Sequence, residues 1–197
     1  MFSQRTTTAL LEGLHEVGNE SAWKELDARC RPIMLGVAQR MGLTAAEAED
    51  ASQAAMTSFL EAYRAGRYDR GRGRLSAFII TILRSRAIDI RRRAYRHREV
   101  EAPSDVVESV TEAELGRLWL DERQAQILRE ALDEIRRSGA DERRLEAFEL
   151  FGLRGVDIAE VTNRLGLSRE EVYDAKYRIT HQLRPIVARL DELYEDI

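Results

Sequence analysis

The sequence predicts an all-α protein built as two small helical domains joined by an acidic linker. Three observations point there. Only 3 prolines and 12 glycines interrupt 197 residues, and Ala, Leu, Glu and Arg, which favour helices, are abundant. Apolar residues recur at spacings of three and four along most of the chain, the period of a half-buried helix. The charges are also segregated. A formal net of −4 resolves into +6 over residues 1–98, −8 over 99–134 and −2 over 135–197. A solvated acidic stretch between two modules has that pattern.

The first helix spans about 20–41, with Trp23, Leu26, Cys30, Ile33, Met34, Val37 and Met41 on one face. Pro32 inside it predicts a kink or a break. The second spans about 44–65, opened by Thr44 and, three residues later, Glu47, a capping box. Glycine and arginine then alternate from Gly66 to Arg74, which stops a helix and keeps cations exposed. The third helix, about 75–98, starts apolar with Leu75, Phe78, Ile79, Ile82 and Leu83 and ends cationic at Arg91, Arg92 and Arg93. Phe78 is expected in the core, and Asp89 is expected to pair with a neighbouring arginine.

Residues 99–113 lose the periodicity and read as linker. A helix follows over about 113–137, closed by Ser138-Gly139, and another over Asp141–Phe151. The last unit is a short amphipathic helix to Leu165, a Gly166-Leu167 turn, and a helix capped by Ser168 with Glu171 three residues on. Val172, Ala175, Ile179 and Leu183 form its inner face. That layout is a helix-turn-helix, whose second helix enters a major groove. A three-helix hairpin with no DNA role has the same local pattern.

Several function classes are excluded. A single cysteine, Cys30, allows neither an intramolecular disulfide nor a multi-Cys zinc site. His15, His97 and His181 are scattered, and neither a metal set nor a catalytic constellation is present, so no enzyme activity and no cofactor are expected. No stretch approaches the roughly 18 apolar residues of a membrane span, and Met1–Thr6 lacks a signal-peptide core. A cytoplasmic protein without membrane contact is expected. Residues 64–98 hold 12 arginines against Asp69 and Asp89 alone. So single-signed a stripe is the footprint of a polyanion, and arginine makes forked contacts to phosphate that lysine does not.

The order of these motifs resembles a bacterial RNA polymerase sigma factor of the sigma-70 family, in its extracytoplasmic-function (ECF) type. Residues 5–98 resemble sigma region 2, through Ala46–Gln53, Tyr68–Phe78 and Ala87–Arg93. Residues 121–190 resemble sigma region 4, through Ile158–Val161, Leu165–Ser168, Val172-Tyr173, Ala175-Lys176 and Arg178. Six positions depart from the family pattern. Ala54 stands where an acid usually follows the core-binding glutamine, Phe78 where Trp is common, and Ser85 where Asn is frequent. Glu170, Glu171 and Asp174 make the start of the recognition helix unusually acidic.

The resemblance implies a region 2 bundle over 1–98, a linker over 99–120 and a region 4 helix-turn-helix domain over 121–197. It implies binding to core RNA polymerase (the β′ and β subunits) through Glu49, Asp50 and Gln53. It implies −10 contacts from Arg67, Tyr68, Arg70, Arg72, Arg74, Thr81, Arg84, Ser85, Arg91, Arg92 and Arg93. For the −35 element it implies Ser168, Arg169, Tyr173, Lys176, Tyr177 and Arg178. Promoter DNA is then a partner, and an anti-sigma factor is the family's usual control. Thr57, one turn past Gln53, is a candidate phosphorylation site for a Ser/Thr kinase, since a phosphate there supplies the charge that Ala54 lacks. A stand-alone helix-turn-helix regulator and a helical protein-interaction module are the alternatives.

Overall fold

The computed structural model describes residues 7–14, 19–98, 110–195 and 197, with the side chains of 94–98 outside the description. Of the linker expected over 99–113, residues 99–109 lie outside it too, and the chain is helical again from Glu112. Eight α-helices and no strand occur among the described residues. The chain divides into two compact units, one of residues up to Gln126 together with Leu193–Ile197, the other Ile127–Glu192.

In the first unit, α1 (Thr7–Leu14), α2 (Glu20–Arg40), α3 (Ala45–Arg64) and α4 (Leu75–Arg98) form the bundle. Helix α3 packs against both α2 and α4, and α1 packs on α2. The predicted stripes are the core: Leu26, Cys30, Ile33 and Val37 of α2, Ala48, Ala55 and Phe59 of α3, and Leu75, Ile79 and Leu83 of α4 are all inaccessible. Burying each large side chain contributes about 1.5–3 kcal/mol. Burial pushes the Cys30 thiol up to about 12, so it is a small inert hydrophobe.

Helix α2 runs unbroken through Pro32, so of the kink or break expected there the break does not occur. The apolar residues on both sides of Pro32, Leu26 to Val37, share one buried face, and that packing outweighs the lost backbone donor. The Thr44 box forms as predicted, with the Thr44 N–H donating to Glu47 Oε2 at 2.9 Å and the Glu47 N–H to Thr44 Oγ1 at 3.3 Å.

Helix α5 (Glu112–Arg137) is opened by a box that composition concealed. The Thr111 N–H donates to Glu114 Oε2 at 2.8 Å and the Glu114 N–H to Thr111 Oγ1 at 3.2 Å. Leu115 and Trp119 of α5 are buried in the first unit.

In the second unit, α6 (Glu142–Ala147) passes into a π-helical stretch, Phe148–Leu153, rather than continuing as an α-helix to Phe151. A Cβ on Gly152 would stand 3.0 Å from the Phe148 ring, so glycine is what lets that ring lie over the widened turn. Helix α7 (Ile158–Leu165) ends at Gly166, whose φ of +62° is the left-handed cap geometry glycine favours. Helix α8 (Arg169–Leu193) follows. Ala147, Leu150, Val161, Leu167, Val172 and Ala175 form the core of the helix-turn-helix.

Candidate nucleic-acid interface

The arginine loop is built by its glycines and one aspartate. Gly66, at φ +69°, turns the chain out of α3. Asp69 caps a single 3₁₀ turn, Arg70–Arg72, its Oδ1 accepting from the Gly71 N–H at 2.8 Å. The one acid of the loop is therefore engaged by backbone, while arginines flank it on both sides.

Beneath the loop lies a closed chain of four rings. Phe59 and Tyr63 of α3 stand 5.8 Å apart, Tyr63 and Tyr68 6.1 Å, Tyr68 and Phe78 5.4 Å, and Phe78 and Phe59 6.3 Å. Such offset and edge-on contacts suit the ring quadrupoles. The Tyr63 hydroxyl donates to the Leu11 carbonyl at 2.7 Å, fixing α1 as well. Partial burial raises the pKa of that phenol. Tyr68 is half-buried, so the loop is anchored through its own aromatic.

An open cleft of about 380 Å³ lies between this loop and the first turns of α4. Five of the predicted −10 residues line it: Arg67, Tyr68, Arg72, Arg74 and Thr81. Phe78, expected in the core, is half-buried and lines the cleft beside Tyr68. The cleft thus pairs aromatic faces with guanidinium groups, the combination that holds unpaired bases and their backbone. Arg70 lies on the loop but donates to Thr8 Oγ1 of α1 at 2.8 Å.

Along α4, Thr81, Ser85 and Arg92 are exposed and recur at helical spacing, so they continue the cleft as one stripe. Arg93 is exposed. Arg84 is half-buried. Arg91 donates to the Gly42 carbonyl at 3.2 Å, in the turn between α2 and α3. Arg86, which the sequence did not single out, is held by Ser58 Oγ at 2.8 Å and by Asp89 at 3.6 Å. Asp89 thus takes the neighbouring arginine expected for it.

Glu49, Asp50 and Gln53 are all exposed on the first turns of α3. Glu49 pairs with Arg31 at 3.2 Å, and Arg31 also binds Asp27 at 2.8 Å. The bond to Asp27, with burial opposing it, raises the Arg31 pKa further. Thr57 is exposed, its hydroxyl donating to the Gln53 carbonyl at 3.1 Å.

On α8, Ser168 caps the helix and Arg169, Tyr173, Lys176, Tyr177 and Arg178 are exposed. Tyr173 meets the Phe151 ring edge-on at 5.5 Å, and the Lys176 ammonium lies 4.9 Å from the same ring. Phe151 is a pedestal for two candidate readers, a role only the tertiary fold discloses.

The acids of this helix are largely satisfied from within. Glu171 accepts from the Ser168 N–H at 2.7 Å, which holds its carboxyl below the usual range. Asp174 takes Arg178 at 2.8 Å and Arg144 at 3.6 Å. Sequence reasoning also missed Arg143, which donates to the carbonyls of Leu165 at 2.5 Å and Gly166 at 3.1 Å. It caps the end of α7 and so fixes the turn before the exposed helix.

No group of His, Cys, Asp or Glu suited to a metal occurs among the described residues, and none of their helices is long and apolar enough to cross a membrane. Residues 26–97, from α2 through most of α4, match the family model for Sigma-70 region 2. The matched segment contains the whole arginine cleft and the acidic face of α3. No curated protein and no solved structure matches the chain.

Proposed function

We propose that the chain, whose first unit carries this module of the sigma-70 RNA polymerase sigma factors, is a sigma factor of the ECF type. The region 2 match supports a non-enzymatic factor of transcription initiation that acts on promoter DNA with RNA polymerase. The observation that carries the finer reading is the cleft itself. Arg67, Arg72 and Arg74 converge with Tyr68 and Phe78 around one open space inside the region 2 segment. A separated −10 strand fits it, with bases against the rings and phosphates against the guanidiniums.

In this reading Glu49, Asp50 and Gln53 meet the β′ subunit of core polymerase, and α8 reads the −35 element through Arg169, Tyr173, Lys176, Tyr177 and Arg178. Capping of Glu171 and pairing of Asp174 reduce the repulsion their charges would exert on phosphate. The functional segments of this reading are region 2 over 1–98, the linker over 99–120 and region 4 over 121–197, with the start of α5 up to Gln126 and Leu193–Ile197 belonging to the first compact unit. Control comes from an anti-sigma protein or a Ser/Thr kinase. Exposure of Thr57 beside Gln53 supports the second. The site of action is the cytoplasm.

The test is reconstitution. Purified chain mixed with core polymerase is expected to co-elute on size exclusion and to direct run-off transcription from genomic fragments. Failure to co-elute sinks the reading and leaves a stand-alone DNA-binding or interaction protein.

A further inference from the structure

The last five residues, Leu193–Ile197, belong to the first unit, where Leu193, Tyr194 and Ile197 are buried. Leu193 is the final residue of α8, so its carbonyl lacks a partner within the helix. Two side chains supply one: Arg29 Nη1 of α2 donates to it at 2.9 Å and Thr7 Oγ1 of α1 at 3.1 Å. Arg123 Nε donates to the Tyr194 carbonyl at 3.1 Å. The Arg29 guanidinium also lies 5.9 Å from the centre of the Tyr194 ring. Arg29 is itself buried and paired with Glu25 at 2.6 Å. Positive charge suits the negative end of a helix dipole, so Arg29 is chemically matched to the last carbonyl of α8, where this strap begins.

The next residue of α1 faces the other way. Thr7 binds the strap, and Thr8 accepts a hydrogen bond from Arg70 of the arginine loop at 2.8 Å. One short helix thus joins the end of α8, at Leu193, to a cation of the candidate DNA site.

We propose that the C-terminal strap is a latch on the arginine loop. Seated, it steadies the start of α1 and keeps Arg70 on Thr8. Unseated, it loosens α1, and the Arg70 guanidinium exchanges a neutral hydroxyl for a phosphate, a stronger, charge-assisted partner. Binding of a nucleic-acid strand and release of the strap are then coupled, and coupling is reciprocal: each raises the other by the same factor. The inference rests on the cleft being a nucleic-acid site, and it does not require polymerase.

The test uses the full-length chain and a single-stranded oligodeoxynucleotide, with affinity read by anisotropy and the strap by carboxypeptidase removal of Ile197. Deleting Tyr194–Ile197 is expected to tighten binding, and Thr7→Val, which removes one hydroxyl and little volume, to do so in a folded protein. The gain is about two- to tenfold, the factor one net hydrogen bond represents. Thr8→Val tightens binding while leaving Ile197 protected in the absence of DNA. Saturating oligonucleotide speeds removal of Ile197 from the natural sequence. Equal affinities for the natural chain and Thr7→Val, with Ile197 release unmoved by DNA, overturn the latch alone. Binding by none of the proteins overturns the cleft reading and the latch together.

Discussion

The guanidinium of Arg31 lies 3.2 Å from the Glu49 carboxylate, so a cation of α2 occupies the acid that the proposed polymerase contact requires. The pair is not buried, with Glu49 half exposed, and an exposed pair contributes only about 0.2–1 kcal/mol. A cationic partner surface therefore has a weak competitor to displace.

The first prediction follows from that competition. Arg31→Gln releases Glu49 and is expected to tighten binding to core polymerase by up to about fivefold, the factor such a pair represents. Glu49→Gln weakens binding. The two changes are non-additive, because Arg31→Gln has no acid to release in the Glu49→Gln background. Titration calorimetry of the four proteins measures the cycle, and additive effects would show that Arg31 does not compete.

The second concerns the ring chain under the loop. Phe78 touches both Phe59 and Tyr68 and is half-buried, so Phe78→Ala is expected to destabilise the first unit by about 2–3 kcal/mol, less than the truncation of a fully buried aromatic costs. Tyr68→Ala removes the loop's anchor, which lies on the loop rather than within a helix of the bundle. It costs less stability, yet is expected to weaken single-strand binding about tenfold, in line with about 1–3 kcal/mol per stacked base. Denaturant unfolding and anisotropy on the same proteins separate the two. Equal losses of stability and binding for both variants would mean the rings only fill space.

Local chemistry was the legible part of this chain. The boxes at Thr44 and Ser168 were readable because each lies within four residues and adjoins a clear apolar period. Thr111 and Glu114 carry the same pattern, but they sit among Glu108, Glu112 and other acids, and the charge run masked a helix start. What escaped was long-range. Arg31 and Glu49 are 18 residues apart, Arg143 and Leu165 are 22, and Arg29 and Leu193 are 164. No periodicity links such pairs. Phe78 lies shallower than its core-facing stripe predicts for a related reason: the first turn of α4 lines the cleft, so the side chain is only partly covered.

The third prediction tests the turn of the helix-turn-helix. Gly166 sits at φ +62°, and an added Cβ would lie 3.3 Å from Arg143 Nη2. Gly166→Ala is expected to cost about 1–2 kcal/mol for the left-handed conformation alone. The guanidinium that caps Leu165 must also shift. Arg143→Met removes that cap with the backbone unstrained and is expected to cost about 1 kcal/mol, the net value of a hydrogen bond. Denaturant unfolding of the full chain reads both. An unchanged Arg143→Met protein would mean that water serves the Leu165 and Gly166 carbonyls equally well.

The fourth rests on Glu171 and on Glu114, which occupies the same position in the Thr111 box. Each carboxylate accepts a backbone N–H at the start of its helix, at 2.7 Å from Ser168 and 2.8 Å from Thr111. That bond is the main reason each pKa lies below 4.5. A lowered native pKa means the unfolded chain takes up the proton first as acid is added. The stabilisation is complete above the unfolded value near 4.5 and disappears as pH falls through the lower native value. The natural protein is therefore expected to exceed Glu171→Gln in stability at pH 7, with the gap closing below pH 4.5. Ser168→Ala removes the hydroxyl but keeps the N–H, so it raises the Glu171 midpoint only part of the way. Carboxyl NMR titration follows that midpoint, and a stability gap constant from pH 7 to pH 3 would show that the negative charge of Glu171 plays no part in capping α8.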